Sequence, residues 1–379
     1  MRILIVGAGI GGMTLAALLE RQDVEVTLVE RAPGFDHAGY MLGLWPLGYR
    51  VLHGLGLYER FAAGSIEGRR YEVRNDRGDI VKQWSLADVT REYGPNLSCT
   101  RPQLVKLLHG ALGRTTVRFS TLLEALVQQN DEVEAFFANG SSGTFDLVVG
   151  ADGRRSRVRE LLFGEQPEFQ TGWGGWVWWA PLDTVPSQTF VEHWGTARFV
   201  GAYPTRDGAG IFAGAPVGGG FEQPGTGRRD HILQRFSNMG GMVDTWLGSM
   251  PGDDDPMFFW RLSDVRSGEW TQGRVVLLGD AAAGFLPTAG IGASMAMESA
   301  AVLADEISRA GARFVERALA FYVQRRRKRV ERIQDESRRL ARTMFVKSPP
   351  LAHVRNLATK LYSVEGLAGS IADAFAEPI

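Results

Sequence analysis

Residues 2–30 read RILIVGAGIGGMTLAALLERQDVEVTLVE. Arg2 to Val6 is a short apolar run, Gly11 to Arg21 carries helical periodicity, and Glu25 to Glu30 is a second β-type run, so the segment reads as strand, helix and parallel strand. The turn between the first two, Gly7-Ala8-Gly9-Ile10-Gly11-Gly12, supplies Gly-x-Gly-x-x-Gly after a strand and at a helix start. In that setting Gly7 permits the tight turn, Gly9 lets backbone approach a pyrophosphate, and Gly12 lets the helix pack close to the strand. The N–H groups at Ile10 and Gly11 belong to the positive end of the helix dipole and favour phosphate. Glu30, ending the second strand, can accept from a ribose hydroxyl and would repel a 2′-phosphate, which leaves NAD or FAD for this site. Arg31 beside it is counted with the same dinucleotide set. Arg2 ahead of an apolar run also imitates a secretory leader, but the four clustered glycines and the lack of a small-x-small cleavage site favour the nucleotide turn.

Working outward, 379 residues are enough for two or three packing units. The 42 Lys+Arg against 43 Asp+Glu remove the electrostatic case for a nucleic-acid or anionic-membrane partner and point to a small molecule. A lone cysteine, Cys99, permits no internal disulfide or thiolate cage, and six histidines show no ligand spacing, so no metal site is expected. A reducing, cytoplasmic setting fits. The most apolar later stretch, Ala281 to Met297, holds Gly284, Pro287, Gly290 and Gly292, and therefore reads as a loop entering a helix rather than a membrane span. Glycine (47) and tryptophan (10) are both out of proportion.

Val51 to Leu57 and Gln103 to Leu112 read as helices. Asp146 to Gly150 and Val275 to Leu278 are continuous apolar runs, as buried parallel strands require, and end in Gly-Ala-Asp and Gly-Asp. From Phe169 to Trp260, alternating segments separated by Gly, Pro and Asp predict an antiparallel sheet. Helical periodicity returns at Ala300, with Val330, Ile333, Leu340 and Met344 on one buried face. The opposite face, with Arg325, Arg326, Arg327, Lys328, Arg329, Arg332, Arg338, Arg339 and Arg342, is expected to be solvated.

Three ordered motifs carry a family resemblance. Gly150-Ala151-Asp152-Gly153-Arg154-Arg155-Ser156-Arg157-Val158-Arg159 resembles the Asp-Gly motif of the class A FAD-dependent aromatic monooxygenases, the para-hydroxybenzoate hydroxylase-like family. Arg274 through Ala282, with Gly279-Asp280, is similar to that family's Gly-Asp motif, and the N-terminal glycine turn completes the set. Smaller similarities lie at Thr100 to Leu104, Gly39 to Leu57, Glu192 to Phe199 and Tyr322 to Arg339. The resemblance implies FAD as cofactor and NADPH or NADH as co-substrate, with O2 inserted into an aromatic or polycyclic molecule through a flavin C4a-hydroperoxide. It implies that Asp280 accepts from the ribityl chain, that Arg101 balances the pyrophosphate, and that Asp152 serves both FAD and the nicotinamide. Pro287, Gly290, Gly292 and Ala293 would then form a turn and helix start facing the flavin, where pre-organised N–H groups stabilise reduced anionic flavin. Ala283 and Ser294 depart from the family's histidine and asparagine.

The fold expected is α/β: a Rossmann-type FAD-binding domain (1–70, 100–165 and 271–310) interleaved with an antiparallel or mixed β-sheet substrate domain (71–99 and 166–270), followed by C-terminal helices (311–379). Trp173, Trp176, Trp178 and Trp179 either fill a core or wall the substrate pocket; Trp178, Phe212, Leu286 and Pro287 are the pocket candidates. His193 and Tyr203 are candidates for deprotonating a phenol, with Arg206 as a carboxylate partner. The flavin carries most of this chemistry, so few protein acids or bases are required. Two other readings remain: a flavin-dependent halogenase, suggested by Trp176 to Pro181 with Lys82 as its lysine, and a flavin-binding regulator without turnover.

Overall fold

The computed structural model describes residues 1–35, 39–90 and 93–361. A six-stranded sheet is ordered Thr271–Gln272, Val275–Leu277, Leu147–Gly150, Arg2–Val6, Glu25–Val29, Val117–Arg118. All its pairings are parallel except that between the two strands nearest Thr271. Apart from exposed Arg2, its central strands are buried throughout, which explains their uninterrupted apolar runs. Register places Val6 opposite Gly150, and Gly150 opposite Leu277. The three motifs, scattered along the sequence, therefore leave neighbouring strands at the same sheet edge. The helix Ile10–Glu20 packs against the helix Gly292–Ala310, joining the first motif to the third.

A second sheet has seven strands, ordered Phe258–Val265, Glu168–Ala180, Gly208–Pro216, Phe199–Thr205, Thr189–Trp194, Arg70–Arg74, Ile80–Ser85. It is antiparallel except where Thr189–Trp194 runs parallel to Arg70–Arg74, so the sheet is mixed. Asn96–Thr100 does not join it; that strand pairs with Met41–Leu44 and Ile66–Gly68 in a small sheet. Two helices unexpected from the strand-rich reading, Arg228–Phe236 and Gly241–Gly248, form one core with the far face of the large sheet. Strand alternation then sorts the side chains. Trp176, Trp178, Val191, Val200, Ala202, Ile211 and Ala213 pack with those helices, while Trp173, Val177, Trp194, Phe199 and Phe212 face the opposite way.

The chain closes with a 30-residue helix, Val315–Met344, and a shorter one, Pro349–Leu361. Residues 362–379 of the expected C-terminal region lie outside the described residues. The arginine-rich helix is solvated only in part: Arg325, Lys328, Arg332, Arg339 and Arg342 are exposed, whereas Arg326 and Arg329 are buried. Glu298, fully buried, pairs with Arg326 at 2.7 Å and Arg329 at 2.9 Å. Arg338 pairs with buried Asp264, and Arg325 with Asp305 and Glu306. These acids lie far away in sequence, which is why inspecting neighbours along the helix could not find them.

Candidate active site

At the shared sheet edge the glycines interlock with the second motif. Gly7 has φ +106°, and a Cβ there would lie 2.5 Å from the carbonyl oxygen of Ala151. A Cβ on Gly12 would lie 2.0 Å from the carbonyl oxygen of Gly7, so neither position admits a side chain. Gly9 differs: it borders the cavity, and nothing lies within 4 Å of where its Cβ would be. The helix Ile10–Glu20 has no side-chain cap and no acid in its first turn, which leaves its terminal N–H groups for a ligand. Glu30 accepts from Ala8 N and Ala32 N, each at 2.9 Å, and so braces the turn. Arg31 is exposed next to it.

The third motif lines the same cavity. Gly279 takes φ +62°, and Asp280 follows it into the cavity. The Asp280 side chain is open to the cavity, and desolvation by the protein around it pushes the carboxyl up to about 6, against the pull of Arg154 and Arg101. Arg101 lines the cavity at the start of the helix Arg101–His109, whose cap is Thr100. Pro287, Gly290, Gly292 and Ala293 line it too, and the helix Gly292–Ala310 also begins without a side-chain cap. Ser294, standing where the family has asparagine, accepts from Trp45 N at 3.1 Å and ties that helix start to the neighbouring loop.

One continuous cavity of about 390 Å³ joins these residues to the large sheet, where Val177, Phe199, Phe212 and Trp260 line it together with Leu286. A bare glycine turn, two uncapped helix starts, an acid and an arginine around one space suit a dinucleotide with a pyrophosphate. Comparison with known proteins agrees. The FAD binding domain family matches residues 1–337. The 3-amino-4-hydroxybenzoate 2-monooxygenase of Streptomyces cremeus is 32% identical over 362 residues, covering 92% of this chain and 89% of that protein. The aurachin C monooxygenase/isomerase of Stigmatella aurantiaca is 30% identical over 314 residues, 81% of each. Klebsiella pneumoniae HpxO, solved with FAD and uric acid, shares the fold with a TM-score of 0.90 at 23% identity, over 99% of this chain and 96% of that one.

The chain belongs to the FAD-binding monooxygenase family. The Streptomyces and Stigmatella relatives are monooxygenases by name, and NAD(P)H as co-substrate is typical of the family. As a family member the chain departs from expectation at several residues. The Asp152 carboxylate caps the helix Arg157–Phe163, accepting from Ser156 Oγ at 2.5 Å, Arg157 N at 2.7 Å and Val158 N at 3.1 Å. Ala151 and Gly153 line the cavity instead, so the motif meets it through its flanking residues.

The substrate-side candidates divide. Tyr203, Phe212, Leu286 and Pro287 line the cavity. His193 does not: it is buried on the helix side, edge-on to Trp246 with ring centroids 5.7 Å apart, and burial lowers its pKa to about 4. Trp178 is also on that side, donating from Nε1 to the carbonyl of Trp246 at 3.0 Å, so it fills core and Val177 takes the wall position. Trp173 lines neither the cavity nor the helix core; it stacks on Phe345. Arg206 sits in the turn after Phe199–Thr205 and donates to the Ser65 carbonyl, outside the cavity, so it is not placed to pair with a bound carboxylate. Lys82 donates to the Lys360 carbonyl and does not line the cavity, which removes the residue a halogenase reading needs.

The residue missed is Glu192. It lines the cavity, 4% exposed, and accepts from the Tyr203 hydroxyl at 2.6 Å, from Trp194 Nε1 at 2.7 Å and from the Tyr71 hydroxyl. Burial raises its pKa while these donors oppose the rise. The signal was in the sequence: in Thr189–Trp194 the residue sharing a face with Phe190 and Trp194 is Glu192, not its neighbour His193.

Proposed function

We propose that the protein hydroxylates a small aromatic or polycyclic molecule held between the flavin and the large sheet, using O2 and NADH or NADPH. The observation that carries this reading is the single cavity shared by the glycine motifs and an aromatic wall. Relatives named for an aminohydroxybenzoate and for aurachin C support an aromatic substrate. The bound flavin supplies the activation of O2 and the transfer of one oxygen atom to the ring. The protein's own residues do the rest. Gly9, the N–H groups after it and Arg101 would hold the pyrophosphate, Glu30 the ribose, and Asp280 a hydroxyl of the ribityl chain. The N–H groups at Gly292 and Ala293, at an uncapped helix start on the cavity, would favour negative charge on a flavin ring bound beside them. Phe212, Leu286 and Pro287 keep water from the reacting face, and Tyr203 orients the substrate. No described helix is long and apolar enough to cross a membrane, and dependence on NAD(P)H suits a cytoplasmic reaction.

The test is anaerobic mixing of FAD-loaded protein with NADH or NADPH, with and without a panel of aromatic ligands. A ligand that speeds flavin bleaching severalfold, and that gains one oxygen atom from labelled O2 on aeration, is the expected result. Flavin that stays oxidised with both nicotinamides and every ligand would instead indicate a flavin-binding protein without turnover.

A further inference from the structure

Tyr71, Trp84, Glu192, Phe199, Tyr203 and Phe212 present their side chains to the cavity from five adjacent strands of the large sheet. Glu192 is held there by three neutral donors. Arg101 is the sole Lys or Arg among the described lining residues; its backbone N–H donates to the Tyr40 carbonyl at 2.9 Å, and its charge lies towards Asp280 on the cofactor side, where the reading above gives it to the pyrophosphate. A tyrosine hydroxyl has one hydrogen, and Glu192 receives both. Toward any ligand, the oxygens of Tyr71 and Tyr203 therefore act as acceptors. Two more buried lining atoms have no protein partner, the donor Trp84 Nε1 and the acceptor Asn96 Oδ1.

We propose that Glu192, acting through Tyr71 and Tyr203, makes this site select a flat aromatic that bears a hydroxyl or amino donor and carries no carboxylate. The inference rests on the hydroxylase reading and narrows its substrate class. A ligand carboxylate would enter beside a buried anion with no free cation to offset it, and both would pay for lost hydration. A ligand O–H or N–H meets two acceptors whose own hydrogens are committed. Drawing that hydrogen toward the tyrosines also feeds electron density into the ring, the property an arene needs to take up an electrophilic oxygen. Glu192 is thus a positioning residue, and its effect is on discrimination between ligands.

The experiment titrates oxidised, FAD-loaded protein with 2-naphthol, 2-methoxynaphthalene and 6-hydroxy-2-naphthoate, following the flavin absorbance. In the wild type, 2-naphthol binds at least about tenfold more tightly than either of the others, a difference of about 1.4 kcal/mol. Glu192→Gln narrows the gap between naphthol and naphthoate severalfold, a change of ratio that mere loosening of the fold does not produce. Tyr203→Phe narrows the gap between naphthol and its methyl ether, and this variant decides the matter if Glu192→Gln does not retain FAD. The proposal is overturned if the naphthoate binds as tightly as the naphthol, if both ratios survive both substitutions, or if no probe perturbs the flavin of protein that retains FAD. These are binding measurements on oxidised flavin, so a failure of reduction or oxygen transfer is seen separately and strikes the hydroxylase reading alone.

Discussion

A single-residue offset separates the two histidine and glutamate neighbours at the centre of this site. His193 and Glu192 are both buried, yet strand geometry gives one to the helix-covered face and the other to the cavity. His193 then matters for stability rather than chemistry. Its folded pKa of about 4 lies below the usual 6.5, so on acidification the unfolded chain takes up a proton first, and stability falls as pH drops from 6.5 towards 4. Between pH 7 and pH 5 this costs roughly 2 kcal/mol. Replacing His193 with Gln should remove that component, and urea titrations at the two pH values check it: a difference as large as in the wild type contradicts the assignment. Trp178→Ala is expected to cost about 3–5 kcal/mol in the same assay while leaving aromatic-ligand affinity within a factor of about two, because the ring fills core behind the wall. What the sequence made legible here was the period of two; what it hid was which of the two faces would be covered, since that depends on helices supplied by later residues.

Those covering elements were themselves only partly legible. Arg228–Phe236 and Gly241–Gly248 lie in a stretch dense in glycine and acidic residues, where turn signals mask short helices. Their signal is the spacing of Ile232 and Phe236, then Val243, Trp246 and Leu247, all buried. The Rossmann elements were plainer, because each glycine motif has local work that only glycine performs. That makes a prediction about the first turn. Gly12→Ala places a methyl against the backbone of Gly7, which cannot move without shifting Ala151, so the FAD affinity of the refolded protein is expected to fall by at least about tenfold. Gly54→Ala, at a helix end with open space around the new methyl, is the control, with a stability gain of about 0.5–1 kcal/mol and unchanged FAD binding. Equal FAD titrations for the two variants would mean that the turn is not where the cofactor is held.

Across the whole molecule, the helix Val315–Met344 joins the two sheets, and its arginines do so through acids the local sequence does not reveal. Arg326 and Arg329 reach Glu298 on the cofactor side, while Arg338 reaches Asp264 on the large sheet. Gln334 between them donates to the carbonyls of Val265 and Gly284, and Leu340 and Met344 line the cavity at the far end. The helix thus spans the cavity that lies between the two sheets, and its ion pairs differ in worth according to burial. Glu298 is fully enclosed, so its removal takes away the carboxylate that lies 2.7 and 2.9 Å from the buried guanidinium groups of Arg326 and Arg329. Glu298→Ala is therefore expected to destabilise by about 3–5 kcal/mol. The Arg325 pair with Asp305 is about one-third exposed on both sides, and Arg325→Ala is expected to cost less than about 1 kcal/mol. Denaturant unfolding of both variants at one fixed excess of FAD makes the comparison, because cofactor linkage then contributes equally. Similar midpoints for the two would show that the buried pairs do not clamp the two sheets together; a selective loss in Glu298→Ala, with earlier release of flavin fluorescence, would show that the cavity opens when this helix loses its anchor.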